Sequence, residues 1–557
     1  MVKKFSSFVS VVLGVCLASL LYWFLYNKPF LGVDDANIYM VYMKNFANGN
    51  GFVYNDGGEQ VEGFTSLLWT LIGALSYKLF QSFHILFLLN LLAISSVLYR
   101  ITQFINKSFN NSRYDFFRNG FLLATLVLIP GYWDWAFLSL LETGLWSALL
   151  CHAVLNILEF DYQSVRFRKK SIELSVILSV MILTRPESML WVLVFVLVRF
   201  VQFKLNKIAN KRAAVDVLLI AIFPAISFVL LIVWRLNYFG FMFPNTYYAK
   251  VSNDLLGNVI DGLLYFVKTS YGTPLFMISA IAIIIGLFIL FDNSRRFDAS
   301  MVRNAGYLSF LIAVCYSIPL ITGGDHFMLG RFFQPLMPII ILHIVVIISF
   351  FKIDVSRLDY KLLLFGAALV ILVVMPNRKF FDPLLNQGHL PIQHEFGIAD
   401  EGRRRGDQLN RFYQDMETKP SIGVVVAGGI AYSYNGDVID LLGLNSVAMA
   451  HATKIKSGIK GHSSFSSTTF YKLLPEMFYI YDVHTTWSGL TSVFTDPKYK
   501  DKLSYKALGG IIDQKELSDL YVQVAVTNLR TNQILHTFYL RESLAKLDPQ
   551  VYHVTLL

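Results

Sequence analysis

The stretch Asp34–Ser66, DDANIYMVYMKNFANGNGFVYNDGGEQVEGFTS, decides how the chain is read. It follows directly on an apolar segment, Phe8–Tyr26, so the adjacent carboxylates Asp34 and Asp35 stand where a helix would leave a membrane. Ionised side chains at a bilayer are costly, and two side by side point to function. Glycines and asparagines (Gly49, Asn50, Gly51, Gly57, Gly58) mark the remainder as a shaped, acidic, extramembrane loop bearing Glu59 and Glu62. The plainer alternative makes Asp34 the cap of a short helix beginning at Ala36, which accounts for one aspartate and not for two.

Working outward, the chain has 557 residues, 55% hydrophobic and 15% charged, with a mean hydropathy of +0.51. That is too apolar for a soluble multidomain protein and reads as a polytopic α-helical membrane protein. The first apolar segment follows Lys3 and Lys4, but it is too long and aromatic for a cleaved signal peptide and no small-residue cleavage site follows it. The net charge of +10 lies largely in short loops between apolar runs, where it sets orientation and indicates no nucleic acid. Cys16, Cys151 and Cys315 all fall in apolar runs, so no disulfide framework is indicated.

Apolar runs at about 6–26, 83–104, 119–138, 142–159, 172–184, 188–203, 213–236, 273–291, 304–322, 333–351 and 361–376 predict about eleven spans. A further run at 64–81 carries Gly73 and Lys78 and reads as a juxtamembrane or re-entrant helix, because counting it as a span sets the N-terminus against the basic loops. Basic clusters at 107–118, 166–170, 204–212, 295–303 and 352–361 mark the cytoplasmic side. The Asp34–Ser66 loop and the C-terminus are then outside. Residues 1–376 form the transmembrane domain, with the first outer loop at 28–63. Residues 377–557 form an extracytoplasmic α/β domain, with a helix near Ala399–Met416 and a strand, glycine turn, helix and strand across 421–445. Gly428-Gly429 is a lone pair and no nucleotide-binding fingerprint.

The outer face also collects Trp133-Asp134-Trp135 through Glu142-Thr143, Thr184 to Glu187, Phe243 to Lys250, and Thr322 to Arg331. Each has an ordinary explanation: an interfacial belt for the tryptophans, a local pair for Arg185 and Glu187. Their gathering on one side points to a site.

The opening DDANIYMVYMKNFANGNGFVYN and GGEQVEGFTSLLW strings resemble the first periplasmic loop of GT-C superfamily glycosyltransferases that use lipid-phosphate sugar donors. Within that superfamily the chain is most similar to the branch containing the mycobacterial terminal β-arabinofuranosyltransferase. SLLETGLW (Ser139–Trp146), TRPES (Thr184–Ser188), PNTYYAK (Pro244–Lys250), GGDHFMLGRFFQPLMP (Gly323–Pro338) and VIDLLGLN (Val438–Asn445) follow in the expected order. The chain departs from the branch at His326, where an aromatic residue is expected, and in a shorter C-terminal domain. A composition poor in Ala and rich in Lys, Asn, Ile and Phe also argues against an arabinogalactan acceptor.

The resemblance implies a glycosyltransferase of a bacterial inner membrane, moving a hexose or pentose with inversion from a polyprenyl-phosphate donor to an envelope glycan or glycolipid on the outer face. The acceptor hydroxyl then needs a carboxylate to take its proton. Asp34 is the preferred base, with Asp35 orienting the acceptor or a metal. Arg185, Arg331 and Lys250 are the candidates for the donor phosphate. Glu142, Glu62, Asp325, His326, Asn245 and Tyr248 are expected around them or at the acceptor. A divalent cation is left open: Asp34, Asp35, Glu142, Asp325, His326 and His451 or His462 offer ligands without a spacing signature. A transporter or flippase of lipid-linked sugars is the alternative of another class, and it predicts repeats of similar hydropathy that the chain lacks. A polysaccharide ligase or polymerase differs in acceptor, and a non-catalytic scaffold would be indifferent to loss of the acids.

Overall fold

The structure, a computed structural model, describes residues 2–25, 31–108, 129–161, 164, 167–252, 254–291, 299–350, 392–453, 464–478, 483–484, 508, 511 and 514–557. The expected span at 361–376, the first part of the run at 119–138, the 352–361 loop, Arg166 and His462 lie outside them.

Among the described residues, four helices are long and apolar enough to cross a membrane: His84–Lys107, Ser188–Leu205, Asn210–Tyr238 and Met301–Thr322. Two bent pairs raise the number to six if each pair is one span, so the described helices fall short of the eleven expected. Part of the difference lies in runs outside the described residues, and part at a break. The runs at 119–138 and 142–159, expected as neighbouring spans, meet at a 106° bend between Gly131–Leu138 and Thr143–Leu158. The chain there passes through a π-helical turn, Asp134–Leu138, a distortion found mostly where backbone is bent for a purpose. Trp133 and Trp135 on this turn are fully buried and form no interfacial belt. The run at 273–291 is preceded by an unexpected helix, Leu255–Gly272, set at 111° to Leu275–Ile289. Pro274 sits at that joint, where a missing N–H and a fixed φ interrupt the helical ladder.

The stretch 34–66 is only half loop. Asp34–Ala47 is a helix in which every residue from Ala36 to Met43 is buried, so its apolar residues show no clear face for a periodicity to reveal. Asp34 and Asp35 occupy its first turn, where the helix dipole favours negative charge. The next helix, Leu67–Phe80, is capped by the Ser66 hydroxyl accepting from Trp69 N at 3.3 Å. Its 14 residues are too few to cross a hydrocarbon core of ~30 Å, in keeping with a juxtamembrane position.

The C-terminal domain begins with the helix Gln393–Phe412 and continues into a seven-stranded mixed sheet of order β2-β1-β3-β6-β5-β7, in which β3 is Met477–Phe478 and β4, Val483–His484, also pairs with β6. The expected strand, glycine turn, helix and strand appear as β1 (Ile422–Val424), a helix at Gly428–Ser433 and β2 (Val438–Asp440), with β1 and β2 parallel. The antiparallel half is built from β5 (Tyr521–Asn528), β6 (Gln533–Leu540) and β7 (Tyr552–Leu556). This domain docks on the Asp34–Ala47 helix through its 428–433 helix, and one hydrophobic core runs across both.

Candidate active site

A cavity of about 600 Å³ lies where the expected outer segments converge. Asp35, Glu142, Arg185, Lys250, Asp325 and Arg331 all line it. Much of the remaining wall is apolar, from Ile38, Leu141, Trp146, Trp191, Phe243, Ile318 and Leu336.

Arg331 is the hub of the polar end. Its Nη1 donates to Asp35 Oδ2 at 2.9 Å, and its Nε donates to Asp325 Oδ2 at 2.7 Å. Its guanidinium also lies 4.2 Å from the Phe327 ring and 5.6 Å from the Trp135 ring, so two carboxylates and an aromatic wall fix it. Asp325 reaches Arg331 because Gly323 and Gly324 reverse the chain with φ of 86° and 68°, a region closed to most side chains. Burial works to raise the carboxyl of Asp35, but Lys250 and Arg331 outweigh it and hold Asp35 below its ordinary value. Arg331 does the same for Asp325, whose backbone neighbour His326 N donates to it at 2.8 Å.

A second cation sits on the wall. Arg185 Nη1 donates to Glu142 Oε1 at 2.9 Å and its Nε to Glu187 Oε1 at 2.5 Å. Glu142 is buried, and its other oxygen has no hydrogen-bond partner among the described residues. Half-buried Lys250 lines the same space and, among the described residues, makes no ion pair.

Asp34 is placed elsewhere. Its carboxylate accepts from Gly428 N at 2.9 Å and Gly429 N at 2.7 Å, and it does not line the cavity. Burial pushes its pKa up to about 6, against the pull of the two amides. Gly428 is required here: a Cβ would collide with the backbone carbonyl of Asp34. Of the two expected acids, the structure thus brings Asp35 and not Asp34 to the cavity wall.

Three further expectations are redirected. Glu62 is buried in a bidentate pair with Arg235, at 2.8 Å from both Nε and Nη2, and ties the loop to the Asn210–Tyr238 helix. Asn245 spends its amide on Gly443 O at 2.8 Å and Leu444 O at 3.0 Å of the C-terminal domain. The Tyr248 ring packs 4.3 Å from His451. None of the three lines the cavity. His326 stands beside Asp325 at the exposed rim.

Sequence reasoning missed Tyr39 and Thr246 on the wall. Tyr39 Oη is held by Thr65 Oγ1 at 2.7 Å and by the amides of Thr65 and Ser66. Its position four residues after Asp35, on the same face of one helix, was the available signal. As to metal, no group of three His, Cys, Asp or Glu side chains able to hold an ion occurs among the described residues. Asp35 and Asp325 of the expected set converge on the guanidinium of Arg331.

No family model and no curated protein matches the chain. Among solved structures, the Archaeoglobus fulgidus oligosaccharyltransferase tethered with an acceptor peptide aligns over 99% of this chain and 75% of its own, at 11% identity and a TM-score of 0.53. The same enzyme in complex with Zn and sulfate aligns over 97% and 75%, at 12% identity and a TM-score of 0.53. ArnT from Cupriavidus metallidurans bound to undecaprenyl phosphate aligns over 82% and 77%, at 15% identity and a TM-score of 0.41, too loosely to bear on the fold. The chain thus shares the fold of that oligosaccharyltransferase along almost its whole length. That likeness does not single out the arabinofuranosyltransferase branch.

Proposed function

We propose that the protein is a glycosyltransferase that moves a sugar from a polyprenyl-phosphate donor to a hydroxyl of an envelope glycan or glycolipid, at the outer face of a bacterial inner membrane and with inversion. The observation that carries this reading is the composition of one cavity. Its polar lining carries Asp35 with the cations Arg331 and Lys250, and Arg185 held by Glu142 and Glu187, while much of the rest of its wall is apolar. Such a space fits an amphiphile with an anionic head. The shared fold with an oligosaccharyltransferase supports the same class of chemistry.

The acceptor oxygen attacks C1 of the donor sugar, the C1–O bond to the phosphate breaks, and its electron pair stays on the polyprenyl phosphate. Asp35 takes the acceptor proton as that bond forms. Lys250, which makes no direct ion pair among the described residues, meets the leaving phosphate. Arg331 is shared: the phosphate competes with Asp35 for its guanidinium, so donor binding loosens the Asp35 pair as the base is needed. Arg185, held by Glu142 and Glu187, shapes the phosphate end, and Glu142 offers its unpartnered oxygen to a sugar hydroxyl.

The test is release of polyprenyl phosphate by the purified full chain in nanodiscs, offered a panel of polyprenyl-phosphate hexoses and pentoses with an envelope extract as acceptor. One donor should be consumed with sugar appearing on an extract component. No release from any donor, by protein that binds polyprenyl phosphate, would argue for transport or scaffolding.

A further inference from the structure

The helix Leu255–Gly272 has two unlike sides. Asn258, Gly262, Tyr265 and Thr269 are buried and face the protein. Gly262 lies so close to Leu320 that a Cβ would collide with its backbone, and the Tyr265 ring stacks 5.3 Å from Phe333. The opposite side is apolar and bare among the described residues: Leu256, Ile260, Leu263, Leu264, Val267 and Tyr271 are 51–88% exposed. Their spacing puts them on one stripe of a 3.6-residue helix. Asp261 and Lys268, both exposed, fall together on one flank between the two sides.

What covers this stripe follows from what it adjoins. The helix turns by 111° into Leu275–Ile289, and the two together are apolar enough to count as one broken span. On that second helix Met277, Ile281, Ile284 and Phe288 are 45–73% exposed and continue the bare apolar surface. With Leu275–Ile289, inside the 273–291 run expected to span, taken as the crossing part of the pair, a helix nearly perpendicular to it lies close to the membrane plane. With its apolar side turned away from the protein and its charges on one flank, it has the pattern of a helix resting in the interface.

The geometry points to the bilayer as the partner of this surface: Leu255–Gly272 is an in-plane helix whose 256–271 stripe is seated in the outer leaflet, with Asp261 and Lys268 at the headgroups. Leu255 and Asn258 of the same helix line the candidate active-site cavity, so it forms the wall between that cavity and the leaflet. The inference stands on the chain being embedded in a membrane and does not depend on the reaction proposed above.

Nitroxide labels at Leu263→Cys, Val267→Cys and Lys268→Cys, each in the full chain in nanodiscs with the native cysteines replaced, give the test by power saturation with oxygen and with a nickel chelate. Positions 263 and 267 should favour oxygen and position 268 the chelate, with accessibility ratios differing several-fold. Equal access of the chelate to all three would place the stripe in water and overturn the proposal. Exclusion of both reagents from 263 and 267 would mean that protein, another copy or another part of this chain, covers it, and would overturn it equally. If a labelled variant does not insert, Val267→Trp with brominated lipid reads the same contact: quenching supports it and its absence refutes it.

Discussion

Asp35 and Arg331, 296 positions apart in the chain, meet at 2.9 Å on the wall of the cavity, and the same guanidinium holds Asp325 at 2.7 Å. Removing the cation leaves two carboxylates, one of them with only 7% of its side chain exposed, without their partner. Breaking a buried pair from one side costs about 3–5 kcal/mol, and partial exposure of Asp35 argues for the lower end. Arg331→Met should therefore lower the melting temperature in detergent markedly. Arg331→Lys, which keeps the charge but not the planar fork, should melt nearer wild type and still lose transfer rate.

The same hub sets an acid dependence. Burial favours protonation of Asp35 and Asp325, and the cations beside them reverse this, holding both carboxyls below their ordinary value of 3.8. An acid whose pKa is lower in the folded than in the unfolded chain stabilises the fold above the unfolded value, and that contribution fades as pH falls toward the folded value. The melting-temperature advantage of wild type over Asp325→Asn should be complete near neutral pH and shrink below about pH 4. An advantage that grew on acidification would contradict the arrangement.

Lys250 and Arg185 separate by their partners. Arg185 is engaged by Glu142 and Glu187, whereas Lys250 makes no ion pair among the described residues. Losing a charge-assisted contact to phosphate costs about 1.5–3 kcal/mol, roughly 10- to 100-fold in affinity. Lys250→Met should weaken binding of polyprenyl phosphate by that factor with little change in melting temperature. Arg185→Met should lower both, because it strands buried Glu142.

Asp34 is predicted to act as a clamp. Burial raises its pKa to about 6, so its charge is no asset to the fold at neutral pH and its worth lies in the bonds from Gly428 and Gly429. Asp34→Ala should cost about 1–3 kcal/mol and make the C-terminal domain more susceptible to limited proteolysis. Gly428→Ala should do the same from the other side, since its Cβ has no room beside Asp34. Unchanged proteolysis in both variants would remove the clamp.

Much of this was legible in the chain. The apolar runs and the strand, glycine turn, helix and strand of 421–445 follow from periodicity and composition, and all the cations expected at the phosphate do line the cavity. What sequence could not supply was direction. Asp34 and Asp35 are neighbours on one helix turn, about 100° apart around its axis, and only the packed C-terminal domain shows which of them faces the cavity. Glu62 and Asn245 look like site residues by type, yet each is consumed by a contact across more than 170 positions. Nor does an apolar run announce a break: the chain bends by 106° between Gly131–Leu138 and Thr143–Leu158, and by 111° where Leu255–Gly272 meets Leu275–Ile289.

The most direct test of the account is single-turnover transfer in nanodiscs by wild type, Asp35→Asn and Asp34→Asn, with donor binding and melting measured on the same preparations. Asn preserves size and an acceptor oxygen for Arg331 while abolishing basicity. Asp35→Asn should bind donor and stay folded, melting somewhat below wild type as it loses the charge paired with Arg331, but transfer about 10²–10⁴-fold more slowly, the usual contribution of a positioned base, while Asp34→Asn keeps most of its activity. Transfer at the wild-type rate by Asp35→Asn, or an inactive Asp34→Asn with an intact fold, would contradict the assignment of Asp35 as the base.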